Sequence, residues 1–304
     1  MALHNQIETG FVVISWNVLH IIHEINYDFD TSSVIALYGI EEAPSNESIR
    51  LKDIVSILQQ MITEHASSEC FICLQEVPGD LLPILHTMAN CLKQAFPLSK
   101  TLIHTHNYQR IPRLRQPRHH LSIYTNPTEY LVIIHYQPQP AHDHRYSLDD
   151  DQISWIQCPS DLGKGALILK TNNGLSIINI HVPFDHSSAR ALLANIPFFS
   201  DQDSLILVGD MNRQSKNLMA MINSFVLDQS HSEKLIPVTT RQATRVSIRS
   251  NGTRNESFID YFVISTKLST WNSETIKVFD DIGNISDHYP ILLKFKMNNT
   301  TNKQ

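Results

Sequence analysis

One local design recurs along the chain: a short apolar run, suited to a buried strand, that closes on a polar residue able to do chemistry. Leu205-Ile206-Leu207-Val208-Gly209-Asp210-Met211-Asn212 shows it most fully. Four apolar residues with no turn former read as a buried strand. The glycine leads into a carboxylate and an amide two residues apart, which strand spacing would place on the same side. An oxygen-only pair of this kind suits a hard cation or a phosphate better than zinc. Taken alone, it reads more simply as a strand ending in an Asx turn, since Gly, Asp and Asn are ordinary loop residues.

Recurrence changes that balance. Phe11-Val12-Val13-Ile14-Ser15-Trp16-Asn17 is β-branched and aromatic and ends in an amide. Cys70 to Leu74 ends in Gln75-Glu76, and Leu175 to Ile180 delivers His181, followed by Val182-Pro183. Phe258 to Ile264 carries Asp260, a carboxylate too costly to bury in such a run without a partner. Ser286-Asp287-His288-Tyr289-Pro290 precedes a last strand from Ile291 to Phe295.

Between these runs the spacing turns helical. A helix is expected from Ser45 to Ser48 onward, with Ile49, Ile54, Ile57, Leu58, Met61 and Ile62 on its apolar face. Others are expected over Leu81 to Ala95, Ser187 to Leu193 and Leu218 to Phe225. Strands alternating with covering helices make an α/β layer. In the middle of the chain, Leu121 to Tyr124, Tyr130 to His135, Ala166 to Lys170 and Leu175 to His181 read as strands. They are joined by turns such as Asn126-Pro127 and Asn172-Asn173-Gly174, the latter a hairpin signal. The Pro- and Arg-rich Gln109 to His120 and the Pro/His/Asp-rich Gln137 to Lys164 read as long surface loops, because strands resume on either side. A single domain over residues 1–296 with a polar tail over 297–304 follows.

With 304 residues, 42% of them hydrophobic and 18% charged, the chain can bury a sizeable core. A net charge of -6 argues against a generally basic nucleic-acid coat, yet leaves room for a local basic patch. No stretch approaches the roughly 20 apolar residues of a membrane span. The first ten residues lack the basic segment and apolar run of a secretion signal. A soluble, intracellular protein without stable membrane insertion is therefore expected. Four cysteines are few for a disulfide scaffold of this length. Cys70 and Cys73 have CxxC spacing, but residues three apart on a strand face opposite ways, which argues against a shared metal or redox role. His20-Ile21-Ile22-His23-Glu24 is not HExxH and reads as loop or short-helix histidines near a site mouth.

Collected in order, the strand-end groups are Asn17, Glu76, His181, Asp210, Asn212, Asp260, Asp287 and His288. If two packed sheets bring them to one edge, four carboxylates, two amides and two imidazoles share a cleft. Carboxylates repel unless a cation or protons hold them together, so the set predicts a bound Mg²⁺ or Mn²⁺. The imidazoles supply proton transfer near neutral pH, or positive charge for a phosphate. Together these groups fit phosphoester hydrolysis by in-line attack of water. Nucleophilic Ser/His/Asp catalysis is disfavoured, because no serine sits in a nucleophile elbow.

The ordered set Trp16-Asn17, Leu74-Gln75-Glu76, His181-x-Pro183, Gly209-Asp210-x-Asn212, Ile259-Asp260-Tyr261 and Ser286-Asp287-His288-x-Pro290 resembles the endonuclease/exonuclease/phosphatase superfamily. Each motif is short; their order across residues 16 to 290 is what is specific. The resemblance implies a four-layer α/β sandwich, two mixed sheets face to face with helices outside, and a site at one edge. It implies Glu76 as a metal ligand, supported by Asn17 and Asp287. Asp210 would orient or deprotonate the attacking water, and Asn212 would hold the phosphate or that water. His288 would contact the scissile phosphate and exchange a proton, oriented by Asp260. His181 would stabilise the phosphate or act as general acid.

The expected activity is a metal-dependent phosphoesterase, first a nuclease, endonuclease or exonuclease, on DNA or RNA. The alternative is a phosphatase or phospholipase-type phosphodiesterase on a phosphorylated lipid or small molecule. A catalytically silent scaffold comes third, disfavoured by the intact Glu76, Asp210 and His288. Tyr261 stands where the 5-phosphatase branch carries arginine, which demotes an inositide substrate. Arg110, Arg113, Arg115 and Arg118 lie in a Pro-stiffened loop with His119 and His120, and Arg241, Arg245 and Arg249 recur at even spacing. These arginines are either solvated loop charge or a rim that tracks the phosphates of a nucleic acid.

Overall fold

The computed structural model describes residues 10–26, 34–40, 42–106, 110–112, 123–138, 152–161, 163–172, 174–198, 204–226, 235–248, 253–266, 268, 271–273, 275–283 and 285–297. The first half of the described chain holds β1 (Gly10–Asn17), α1 (Ile21–Asn26), α2 (Val34–Tyr38), α3 (Glu47–Glu64), β2 (Glu69–Pro78), α4 (Leu81–Ala95), β3 (Lys100–Thr105) and β4 (Glu129–Gln137). The second begins with β5 (Gln152–Gln157), β6 (Gly165–Lys170), β7 (Leu175–His181), α5 (His186–Ala194), β8 (Ser204–Asp210) and α6 (Ser215–Val226). It ends with β9 (Leu235–Val238), β10 (Arg245–Ile248), β11 (Arg254–Ser257), β12 (Asp260–Ser265), β13 (Trp271–Ser273), β14 (Lys277–Val278) and β15 (Ile291–Met297).

One sheet runs β13, β15, β1, β2, β4, β3, with β14 also on β15; the other runs β5, β6, β7, β8, β12, β9. β10 and β11 form a separate hairpin. Both sheets are mixed, since β1 and β2 pair parallel in the first and β7 and β8 in the second, among antiparallel neighbours.

Period-two alternation sorts the side chains into separate cores. Val12, Ile14 and Trp16 of β1, with Ile72 and Leu74 of β2, pack with Ile54 and Leu58 of α3 and Leu85 and Met88 of α4. Their alternates Phe11, Val13 and Phe71 meet Leu167, Leu169, Ile206 and Val208 of the other sheet. The far face of that sheet, Ile168, Ile180 and Leu207, is closed by Leu192 of α5 and by Leu218 and Ile222 of α6. The layers are therefore helix, sheet, sheet, helix, as the family resemblance implies. Each buried aliphatic side chain contributes about 1.5–3 kcal/mol relative to exposure. Cys70 falls in the helix-side core and Cys73 between the sheets, both free, and burial pushes the Cys70 thiol up to about 12. No described helix is long and apolar enough to cross a membrane.

Four sequence expectations change. Ile123 and Tyr124 are not strand; the Tyr124 hydroxyl instead accepts from Ile21 N and donates to Glu47. Residues 121 and 122 lie outside the described part. Within the stretch taken as a loop, β5 forms an edge strand whose first half is exposed, so it lacks the apolar run of its neighbours. β3 was likewise not foreseen, because all six of its residues are only half-buried and no continuous apolar run marks it. Ile49 is 51% exposed, and the buried face of α3 is carried by Leu51, Ile54, Val55, Leu58, Met61 and Ile62.

Candidate active site at the edge of two sheets

Strand register brings the polar ends into line. Asn17 lies opposite Gln75, His181 opposite Asp210, and Asp210 opposite Asp260. Three backbone irregularities aim the side chains. Gly209 has φ 146°, and a Cβ there would stand 1.9 Å from the Ile180 carbonyl oxygen, so only glycine lets β8 approach β7 in this way. Glu76 sits in the register shift between Leu74 and Val77 with φ 54°, which turns it out of the regular pleat. Asn212 has φ 51°. The strand ends at Asp210, so same-side strand spacing does not describe the Asp210/Asn212 pair. Asn212 N donates to Asp210 Oδ1 at 2.9 Å in an Asx turn, and its Nδ2 donates to Val182 O at 2.8 Å. Left-handed backbone at two site residues is the kind of strain that a surrounding structure must hold in place.

Asp210 is the centre of the cluster. Its Oδ2 accepts from Asn17 Nδ2 at 3.2 Å and lies 3.3 Å from His181 Nε2 and 3.7 Å from His288 Nε2. Glu76 Oε1 is 3.6 Å from His181 Nε2. His288 Nδ1 lies 3.0 and 3.1 Å from the two Asp260 oxygens, which leaves Nε2 facing Asp210. Thr244 Oγ1 accepts from the backbone of Ile259 and Asp260 and so fixes the start of β12. The two ends of the chain are tied together here: Trp16 Nε1 donates to His288 O, and Ser286 Oγ donates to Asn17 O.

Asn17, Glu76, His181, Asp210, Asp260 and His288 are thus gathered into one buried group, with Asn212 beside it. Asn17 Oδ1 accepts from Leu19 N, so both ends of that side-chain amide are engaged. Asp287 stands at the rim: its Oδ2 accepts from Arg245 Nε at 2.8 Å, while its Oδ1 is buried without a hydrogen-bond partner. Of the arginines, Arg245 belongs to the site. Arg110 Nη1 lies 3.8 Å from Glu129 and 3.5 Å from Asp161, so its charge is already shared with carboxylates. Arg241 is exposed, and Arg113, Arg115, Arg118, His119, His120 and Arg249 lie outside the described residues.

Burial pushes the Asp210 carboxyl up, but the charges of His288, His181 and Lys164 outweigh it and hold the group well below the carboxylate range. Burial likewise acts upward on Glu76, and the charges of His23, Lys164 and His181 hold it down to about 2. For His288, burial lowers, and Asp260, Asp287 and Asp210 together raise it to about 9. Asp260 is raised, chiefly by burial. At neutral pH the site therefore presents anionic Asp210 and Glu76 beside a cationic His288.

Two participants escape a reading of strand exits. Lys164 Nζ lies 3.6 Å from Glu76 Oε1 and donates to His181 Nε2. Glu129 bonds His23 Nε2. Both stand where a strand enters the sheet. Because β6 runs antiparallel to β7 and β4 antiparallel to β2, those entries lie at the same edge as the exits. Glu76, His181 and Asp210 each offer one ligand atom, all within 4.8 Å of one another. With the unpartnered Asp287 Oδ1 close by His288, this is a carboxylate-rich set that fits a hard divalent ion with several open positions. Carboxylate repulsion alone does not demand that ion, because Lys164 and Arg245 already neutralise part of it.

The sequence matches no protein-family model and no curated protein. Solved structures do match. An endonuclease/exonuclease/phosphatase family protein from Leptotrichia buccalis is 14% identical with a TM-score of 0.54, covering 94% of this chain and 99% of its own. TDP2 from Caenorhabditis elegans is 12% identical with a TM-score of 0.53, covering 97% of this chain and 77% of its own. A family member from Bacteroides thetaiotaomicron is 13% identical with a TM-score of 0.51, covering 95% and 98%. The chain shares the fold of these structures, a sandwich of two mixed sheets flanked by helices.

Proposed function

We propose that the protein is a Mg²⁺- or Mn²⁺-dependent phosphodiesterase, and within that class a nuclease on DNA or RNA. The observation that carries the reading is Asp210 Oδ2, ionised and faced by Asn17, His181 and His288, on a carboxylate with a ligand atom within 4.8 Å of one on Glu76. Asp210 is built to hold and align a water, and to take its proton as it attacks phosphorus. His288, oriented through Nδ1 by Asp260, presents Nε2–H to a phosphate oxygen and can give its proton as charge develops. His181 Nε2 faces both Asp210 and Glu76; at rest it accepts from Lys164, and once that ammonium leaves and the ring takes up a proton it can donate to the same developing charge. Asn212 shapes the turn that fixes Asp210. Glu76, with Asp287 and the Asn17-supported Asp210 beside it, would hold the divalent ion, which when bound supplies Lewis-acid stabilisation of the phosphoryl oxygens.

A cleft of about 500 Å³ opens beside Asn212, lined by Phe184, His186, Arg190, Arg213 and Asn217 among others. Phe184 is 63% exposed. An accessible aromatic ring among cationic groups suits a base and its phosphate better than acyl chains, which favours nucleic acid over phospholipid. The names of the structures with this fold, which include endonuclease, exonuclease and phosphatase activities, agree with phosphoester chemistry.

The test is to incubate the purified protein with Mg²⁺ or Mn²⁺ against single- and double-stranded DNA, RNA, phosphoinositides and sphingomyelin. Cleavage of a nucleic acid, reduced by at least about 10³-fold in Glu76→Gln, is expected. Phosphate release from lipid without nucleic-acid cleavage overturns the nuclease assignment, and full activity in Glu76→Gln overturns the site.

A further inference from the structure

The Lys164 ammonium is 3.6 Å from Glu76 Oε1 and 3.2 Å from His181 Nδ1, and it donates to His181 Nε2. Lys164 is 8% exposed. Glu76 and His181 are two of the three side chains whose ligand atoms cluster closely enough to share one ion. A lysine ammonium is a compact point charge on a flexible stem, so it can stand in for a cation and also leave. Burying Glu76 without any counter-charge would be costly, and Lys164 brings a permanent positive charge to Oε1, beside His181 Nε2 at the same 3.6 Å. A divalent ion cannot share that oxygen with an ammonium without strong like-charge repulsion.

We infer that Lys164 is an internal cation that competes with the divalent metal for Glu76. Metal loading then requires Nζ to leave the carboxylate, and the resting protein keeps its site neutralised and ordered without metal. The inference rests on Glu76 being the metal carboxylate, as proposed above. Its consequence is that removing the lysine charge strengthens metal binding, the opposite of what loss of a structural contact would do.

The experiment is a titration of the full chain with Mn²⁺ alone, with free ion read by electron paramagnetic resonance and fold checked by circular dichroism. Lys164→Met is expected to bind Mn²⁺ about tenfold more tightly than wild type, a coupling of ordinary size between two ligands of one site. Lys164→Gln, which keeps a polar head without the charge, is expected to do the same and serves if the Met variant folds poorly. Lys164→Arg is expected to stay at or below wild-type affinity, and Glu76→Gln to lose the site. If Lys164→Met and Lys164→Gln bind no more tightly than wild type while Glu76→Gln still loses binding, the competition is wrong and the metal site stands. If Glu76→Gln binds Mn²⁺ as wild type does, the metal assignment of Glu76 fails, and the competition with it.

Discussion

His20 shows how one buried side chain sets a pH limit. It is fully buried, its Nε2–H donates to the Pro127 carbonyl at 3.0 Å, and its Nδ1 has no partner. Burial lowers its pKa to about 4, more than nearby Glu129 can raise it, so the folded imidazole stays neutral. The unfolded chain takes up the proton at the ordinary 6.5, so stability from this residue is complete above that value and is lost as pH falls from 6.5 through about 4. The loss amounts to about 3 kcal/mol at most. Urea unfolding at several pH values should show His20→Gln losing less stability between pH 7.5 and 4.5 than wild type; equal slopes would discard this reading. Asn179 is a second such residue. Its Nδ2 donates to Leu74 O and Val132 O at 2.9 Å each, its Oδ1 accepts from Gln75, and it is fully buried. It is a polar tie across the apolar layer between the sheets. Asn179→Ala should cost about 2–4 kcal/mol in chemical denaturation, since it strands buried carbonyls. Nothing in Ile177-Ile178-Asn179-Ile180 distinguishes this amide from a surface one. Asp260 was readable, because a carboxylate in an apolar run demands a partner, and the structure supplies His288.

At the scale of strands, the site depends on where they stop. β8 can end beside β7 only because Gly209 has no side chain to meet Ile180 O. Gly209→Ala should therefore lower stability by about 3 kcal/mol or more and reduce turnover with it, which a melting curve and a rate together would check. An alanine variant as stable as wild type would mean that the close approach is not required. Strand exits were legible because largely apolar, β-branched stretches ended on Asn17, Glu76, His181 and Asp210. Strand entries were not. Lys164 and Glu129 precede or open their strands after long polar stretches, and only the antiparallel pairing of β6 with β7 and β4 with β2 reveals that they share the edge. β5 was missed for a related reason, since half of an exposed edge strand carries no apolar signal.

Over the whole molecule, the site closes the chain on itself. The order of six short motifs carried the resemblance that implied the sandwich, and the three apolar layers of the structure agree with it. What joins the first and last motifs was not visible. Arg50 is fully buried, pairs with Glu47 and donates to Val18 O, Leu19 O and Ile285 O, so it pins the segments that carry Asn17 and His288. Arg50→Ala leaves Glu47 buried without its counter-charge, held only by the Tyr124 hydroxyl, and should cost about 3–5 kcal/mol, with activity lost in the same transition as the fold. The most direct test is turnover of Asp210→Asn on the nucleic acid that wild type cleaves best in Mg²⁺, with the fold checked by circular dichroism. A loss of at least about 10³-fold in kcat with an unchanged spectrum is expected; a folded variant that turns over at the wild-type rate would contradict a site centred on Asp210.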